Sequence, residues 1–138
     1  MMEKAIVQNS IRLINVLFPK VNMSFDLDSK EEGRDKFNAE VNFVFNFFDE
    51  NDKGYSVQFN VNVYDEHKAF LIELIAIAVF ECRDVITEDF KNSHFIQVNS
   101  PAIAFPFIRS FITTVTANAG INPVILPAFN FSKDEQKD

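Results

Sequence analysis

Two segments of strict apolar–polar alternation, separated by a short acidic turn, restrict the fold of this chain more than any other feature. Phe37 to Phe48 sets Phe37, Ala39, Val41, Phe43, Phe45 and Phe47 on one side and Asn38, Glu40, Asn42 and Asn46 on the other. Tyr55, Val57, Phe59, Val61 and Val63 then alternate with Ser56, Gln58, Asn60 and Asn62. A period of two is that of a strand with one buried face. The intervening Asp49–Gly54 (DENDKG) has the composition of a hairpin turn, with Gly54 available for a positive φ. An antiparallel hairpin follows, and its Phe/Val face needs a covering layer.

The flanking segments extend this sheet. Asp65–Lys68 (DEHK) makes a second turn into Ala69–Phe80 (AFLIELIAIAVF), which is apolar on both faces apart from Glu73. Its Ile, Val and Phe content and its place after two hairpin strands favour a central strand over a buried helix. Val21–Asp26 alternates as a further half-buried strand, whereas the apolar run Ile6–Phe18 is expected to be broken by Pro19. Leu27–Lys36 (LDSKEEGRDK) reads as a charged loop around Gly33, and Thr87–Gln97 as a polar–aromatic link with a short helical turn.

The covering layer is a helix over Pro101–Asn118. Ser100 is placed to cap it and Pro101 to take the first helical position, where a missing N–H costs nothing. Pro106 kinks the helix or marks its true start. Phe107, Ile108, Phe111, Ile112 and Val115 have the spacing of one apolar face, and Gly120 stops the helix. The expected fold is α+β: a four-stranded antiparallel meander sheet with a long C-terminal helix packed on one face. Residues 1–131 form a single domain, and 132–138 (SKDEQKD) form a short charged tail.

A chain of 138 residues can bury a sizeable core without disulfides or metal. Its 17 Phe, against no Trp and two Tyr, supply apolar area without polar handles, more than such a core obviously needs. The surplus points to a groove or a subunit contact. A net charge of −7 argues against nucleic acid, whose phosphates need Lys and Arg. The single Cys82 excludes an internal disulfide and a Cys-based zinc cluster, and fits a reducing cytoplasm. The N-terminal stretch has no signal-peptide pattern, and Ala69–Phe80 is too short, and interrupted by Glu73, to insert into a membrane. A cytoplasmic location is expected.

Candidates for chemistry are sparse. His67, His94 and Cys82 stand far apart without metal-ligand spacing, and Asp49, Glu50 and Asp52 lack the ligand pattern of a calcium loop. The glycines form no phosphate cradle. No catalytic residue, cofactor or metal is expected, and the chain does not read as an enzyme. Glu73, alone in an apolar strand, either lies on the solvent face or marks a polar point in an exposed apolar patch.

The stretch from Ser100 to Phe131 carries the most specific pattern. Pro101, Ile103, Phe105-Pro106-Phe107, Arg109 and Ile112-Thr113 are followed by the aliphatic loop Ile125-Leu126-Pro127-Ala128-Phe129-Asn130-Phe131. With Glu40-Val41, Tyr55-Ser56-Val57 and Ala69–Glu73 upstream, the chain resembles the SecB family of bacterial export chaperones over Ile11–Phe131.

The resemblance implies an α+β subunit that assembles as a dimer or a tetramer. It implies passive holding of unfolded or precursor polypeptides in aromatic-lined grooves, and delivery to the translocase ATPase SecA. Client-binding candidates are Phe43, Phe45, Phe59, Val61, Phe105, Phe107, Ile125, Leu126 and Phe129, with the division between core and groove left open. Asp26, Leu71 and Glu73 match the family's SecA-contact pattern, and Asn22 stands where the family often has an acid. The family usually continues past its N-F signature into a second long helix, where this sequence has SKDEQKD. Two alternatives stand beside this reading: a chaperone dedicated to one partner, such as one serving a toxin–antitoxin system, and a carrier of a small hydrophobic ligand.

Overall fold

The computed structural model describes residues 9–27, 36–67 and 69–134. Most of the charged loop expected over Leu27–Lys36 lies outside these residues, as do Ile6, Lys68 and the last four residues of the tail. Four strands are present: β1 (Ile11–Phe25), β2 (Phe37–Phe47), β3 (Gly54–Asp65) and β4 (Phe70–Cys82). They form one antiparallel sheet in the order β1-β4-β3-β2. The hairpins β2–β3 and β3–β4 are as the alternation predicts. The meander stops there, because β1 pairs with β4 rather than with its sequence neighbour β2, which gives a Greek-key order.

Pro19 does not break β1. The strand runs through it, with register shifts between Leu13 and Asn15 and between Leu17 and Lys20. A proline has no N–H to contribute to a ladder, so it is tolerated on an edge strand beside an irregularity. β1 is such an edge.

The β2–β3 turn also departs from expectation. Among the described glycines only Gly120 has a positive φ. Gly54 is needed for space: a Cβ there would lie 2.8 Å from a Phe48 ring carbon and 2.9 Å from Asn51 Nδ2. Phe48 N–H donates to the Gly54 carbonyl, and Gly54 N–H to that of Asn51, which closes the turn.

After β4 come a short helix α1 (Glu88–Lys91), a π-helical turn (Phe95–Asn99), the long helix α2 (Ser100–Asn118) and a final turn α3 (Phe131–Asp134). Thr87 caps α1, its Oγ1 accepting from Phe90 N–H. Ser100 is not a cap, because the chain is already helical before it. Its hydroxyl is buried instead, 2.5 Å from Tyr55 Oη. Pro106 lies inside α2, and Gly120, at φ 92°, ends the helix in the left-handed conformation.

The core forms between α2 and the inner face of β3 and β4. Tyr55, Val57, Phe59, Val61 and Val63 meet Phe70, Ile72, Leu74, Ala76, Ala78 and Phe80 across the pair, all buried. From the other side come Ile96, Ala104, Phe105, Ile108 and Ile112. The helix face therefore differs from the one expected. Ile108 and Ile112 are fully buried, but Phe107 is 53% exposed and Phe111 only half-buried. The inward positions it vacates are filled by Ala104, Phe105 and the fully buried Thr116.

Candidate functional site

β3 and β4 are closed over by α2, but β2, at the sheet edge, is only partly covered. Its inward side chains Phe37, Ala39, Val41, Phe43, Phe45 and Phe47 are all half-buried, in contrast to the fully buried row beside them on β3. These side chains form an aromatic shelf. Phe43 and Phe45 meet edge to face with centroids 5.9 Å apart, and Phe45 and Phe47 stack at 6.4 Å. Phe47 stacks on Tyr55, and Tyr55 on Phe80, so the shelf continues into the core.

The other end of the shelf is built by the loop after α2. Phe131 packs edge to face on both Phe43 and Phe105, and Phe129 stacks on Phe131 at 6.1 Å. Three polar side chains of α2 fix this loop. Arg109 Nε–H donates to the Leu126 carbonyl at 3.1 Å, Thr113 Oγ1 donates to the Val124 carbonyl at 2.7 Å, and Thr116 Oγ1 accepts from Val124 N–H at 2.9 Å. The clamp turns Val124 and Leu126 into the core and leaves Ile125 73% exposed.

The client-binding candidates divide accordingly. Phe59 and Val61 at 0% exposure, and Phe105 and Leu126 at 2%, are core, and nothing outside the subunit touches them in this conformation. Phe43, Phe45 and Phe129 lie together on the shelf, half-buried. Phe107 and Ile125 are exposed on α2 and its loop. Phe47 extends the shelf and the buried Phe131 backs it; neither was among the client-binding candidates, although the β2 alternation carried the signal for Phe47. A second cleft of about 530 Å³ lies between β1 and α2, lined by Leu13, Ile14, Phe18, Phe107 and Phe111, where Phe18 and Phe111 stack at 4.0 Å.

The outer face of the sheet has a different character. The register aligns Glu40, Asn62, Glu73 and Asn22 across the four strands. The next row comprises Asn42, Asn60, Ile75 and Lys20. Glu73 thus lies on the outward face of β4, half-buried among amides, and not in the apolar interior. Leu71 is its neighbour on that face, opposite Ser24, and Asp26 follows the end of β1 with its N–H bonded to the Ala69 carbonyl.

The residues considered for metal or nucleophilic chemistry stay apart. His67 and His94 are exposed in separate segments, while Cys82 is buried at the end of β4. Burial, with smaller contributions from Asp84 and Glu81, holds the Cys82 thiol at about 11, so it is protonated and unreactive near neutral pH. Among the described residues no group of three or more His, Cys, Asp or Glu could hold a metal ion. Likewise, no described helix is long and apolar enough to cross a membrane.

A family model described as preprotein translocase subunit SecB matches residues 8–134. This chain belongs to the SecB family. The protein-export protein SecB of Rickettsia typhi is 27% identical over 116 residues, which is 82% of this chain and 64% of that protein. That of Anaplasma phagocytophilum is 33% identical over 86 residues, 59% of this chain and 53% of that protein. An uncharacterized protein of Methanocaldococcus jannaschii is 46% identical over 57 residues, 41% of this chain and 37% of that protein. The chain therefore spans less than two thirds of the length of these curated relatives.

Among solved structures, the fold is similar to the Rv1957 SecB-like chaperone of Mycobacterium tuberculosis, solved with a ChAD peptide from the HigA1 antitoxin. That match has a TM-score of 0.67 at 11% identity and covers 87% of this chain and 88% of the other. A Streptococcus agalactiae protein of unknown function matches with a TM-score of 0.51 at 17% identity, over 88% and 99% of the two chains. At these identities the likeness is one of fold.

Proposed function

We propose that this SecB-family chain is a holdase, binding unfolded polypeptide on the aromatic shelf of β2 and its flanking loop. The observation that carries this reading is the half-exposed row Phe43, Phe45 and Phe47, continued by Phe129 and backed by the buried Phe131. Aromatic side chains left open to solvent gain free energy when another apolar chain covers them. The gain is non-directional, so many sequences satisfy it. Of the candidate residues, Phe43, Phe45, Phe129 and Ile125 would meet the client, while Phe59, Val61, Phe105 and Leu126 support the shelf from below. No bond is made or broken, and the mechanism needs no cofactor.

The same reading includes an oligomer of two or four copies. The solvent side of α2 carries Ile103, Phe107, Ser110, Thr114 and Ala117, and the only charged side chain of the helix, Arg109, is turned onto the Leu126 carbonyl. A surface helix ordinarily places charge there. A second copy would cover this face and the adjoining cleft, Phe107 included.

Delivery to SecA would use the outer face, through Asp26, Leu71 and Glu73. The amide-rich rows around Glu73 make that face less acidic than such a contact would favour, so holding and delivery are separable activities here. Service to one dedicated partner is the second reading, favoured by the fold shared with a chaperone solved with an antitoxin-derived peptide.

The test is aggregation of a chemically denatured client diluted into buffer with and without the protein. Suppression at stoichiometric amounts supports the holdase; none at several-fold excess counts against it. Light scattering on the same sample reads the oligomer, and affinity purification separates many clients from one stoichiometric partner.

A further inference from the structure

We propose that Arg109 and the hydroxyl groups beside it on α2 form a binding site for a small carboxylate that carries a short apolar tail. The site uses none of the shelf phenylalanines and stands apart from the holdase reading.

Arg109 is electrically isolated. From residue 92 to residue 132 it is the only Lys, Arg, Asp or Glu. Arg12, Arg83 and Lys91 pair with Glu81, Asp84 and Glu88, whereas among the described residues no carboxylate lies within ion-pair distance of Arg109. Its Nε–H bond to the Leu126 carbonyl uses one donor and fixes the plane of the guanidinium. A neutral donor would serve that carbonyl equally. The charge and both Nη groups, held in a set orientation, are left for another acceptor.

A cavity of about 310 Å³ lies beside this group. Arg109 and Thr113, like Ser110 and Thr114, stand one helical turn apart, so the four side chains share one stretch of the α2 surface and line the cavity together. Thr113 is taken up by the Val124 carbonyl, but the exposed Ser110 and Thr114 hydroxyls donate to no described residue. Pro106 and Ile125 form an apolar wall, Ile125 being 73% exposed. A carboxylate suits this set. Its paired oxygens match the Nη fork with two parallel charge-assisted bonds, and the hydroxyls serve its remaining lone pairs. The apolar wall gives a short aliphatic tail somewhere to lie out of water. In a chain of net charge −7, this acid-free tract is also where an anion meets least repulsion.

The experiment titrates the full chain with hexanoate and follows the Arg109 Nε–H and Leu126 N–H resonances by NMR. Acetate, inorganic phosphate, hexanol and chloride are compared at matched ionic strength. Hexanoate is expected to bind with a dissociation constant on the order of millimolar and to shift both resonances. Acetate and phosphate, which lack the tail, should bind more weakly, and hexanol and chloride should leave the resonances in place. Arg109→Lys keeps the charge but loses the fork, and is expected to weaken hexanoate binding by about tenfold. Ser110→Ala combined with Thr114→Val leaves the loop clamp intact, and should weaken binding severalfold with an unchanged urea midpoint. An equal response to hexanol, the mark of a merely apolar surface, overturns the site, as does an equal response to chloride. Unchanged affinity in the double variant also overturns it, even where Arg109→Lys fails to fold. Ser110 and Thr114 stand on the face assigned to a second copy, so the titration is repeated at a dilution where light scattering reads a monomer. Binding in neither state overturns the site as well.

Discussion

Arg109 on α2 and Leu126 in the following loop are joined by a hydrogen bond of 3.1 Å from the guanidinium Nε–H to the backbone carbonyl. Two turns along the helix, Thr116 Oγ1 accepts from Val124 N–H while donating to a carbonyl of its own helix, Ile112 or Thr113. Together they hold an aliphatic loop that has no secondary structure of its own. Thr116→Val leaves the buried Val124 N–H without an acceptor and is expected to cost about 1–3 kcal/mol. Urea denaturation measures that loss, and faster hydrogen exchange at Val124 locates it. Exchange unchanged from the parent would remove the clamp from the account.

Tyr55 and Ser100 give an asymmetric pair of variants. Both hydroxyls are fully buried and lie 2.5 Å apart, and Ser100 also lies 3.4 Å from the Phe95 carbonyl. Tyr55→Phe leaves Ser100 a remaining partner and should cost roughly 1 kcal/mol. Ser100→Ala strands the phenol hydroxyl in the core and should cost more, about 1–3 kcal/mol. The reverse order in thermal or urea unfolding would contradict this assignment.

Shelf and core phenylalanines are expected to respond in opposite ways. Phe59→Ala opens a cavity in a fully buried site and should destabilise the fold by about 3–5 kcal/mol. Phe45→Ser touches a half-buried edge position, should lose less stability, and should lower aggregation suppression. If Phe45→Ser holds a denatured client as well as the parent protein does, the shelf is not the binding surface.

Stability should fall on the alkaline side. Burial raises the Cys82 thiol from 9.0 to about 11 and raises the Tyr55 hydroxyl as well, against the lowering effect of its bond to Ser100. Both groups are neutral when protonated, and the folded state holds those protons more tightly than the unfolded chain. The Cys82 contribution is therefore complete below about pH 9 and is lost as pH rises through 11, whereas that of Tyr55 begins to fall only above its ordinary value of 10.0. Urea midpoints between pH 8 and pH 11 should decline, and Cys82→Ala should decline less steeply. Parallel curves for the two proteins would remove Cys82 from the effect.

The alternation in β2 and β3 made their pairing legible in the sequence, and the apolar run of β4, interrupted by Glu73, marked it as a central strand. Pro19 misled because a proline's cost depends on whether its strand has a neighbour on that side, and strand order is not a local property. Ser100 misled for a related reason: a residue typical of helix caps was needed as a hydrogen-bond partner for a tyrosine on a distant strand. The candidate site was read as a set of apolar residues without its division. Phe43 and Phe59 are paired neighbours of the same type, yet one lies on the edge strand and the other beneath α2.

The placement of β1 beside β4 governs the order in which the molecule can assemble. β1 is synthesised before β2, β3 and β4, but among the described residues it pairs with the last of them. The β2–β3–β4 unit can close through short turns as it is made, whereas β1 must wait with Leu13, Val16 and Met23 uncovered until β4 arrives. A protein proposed to shield waiting chains thus passes through the same exposed condition during its own synthesis.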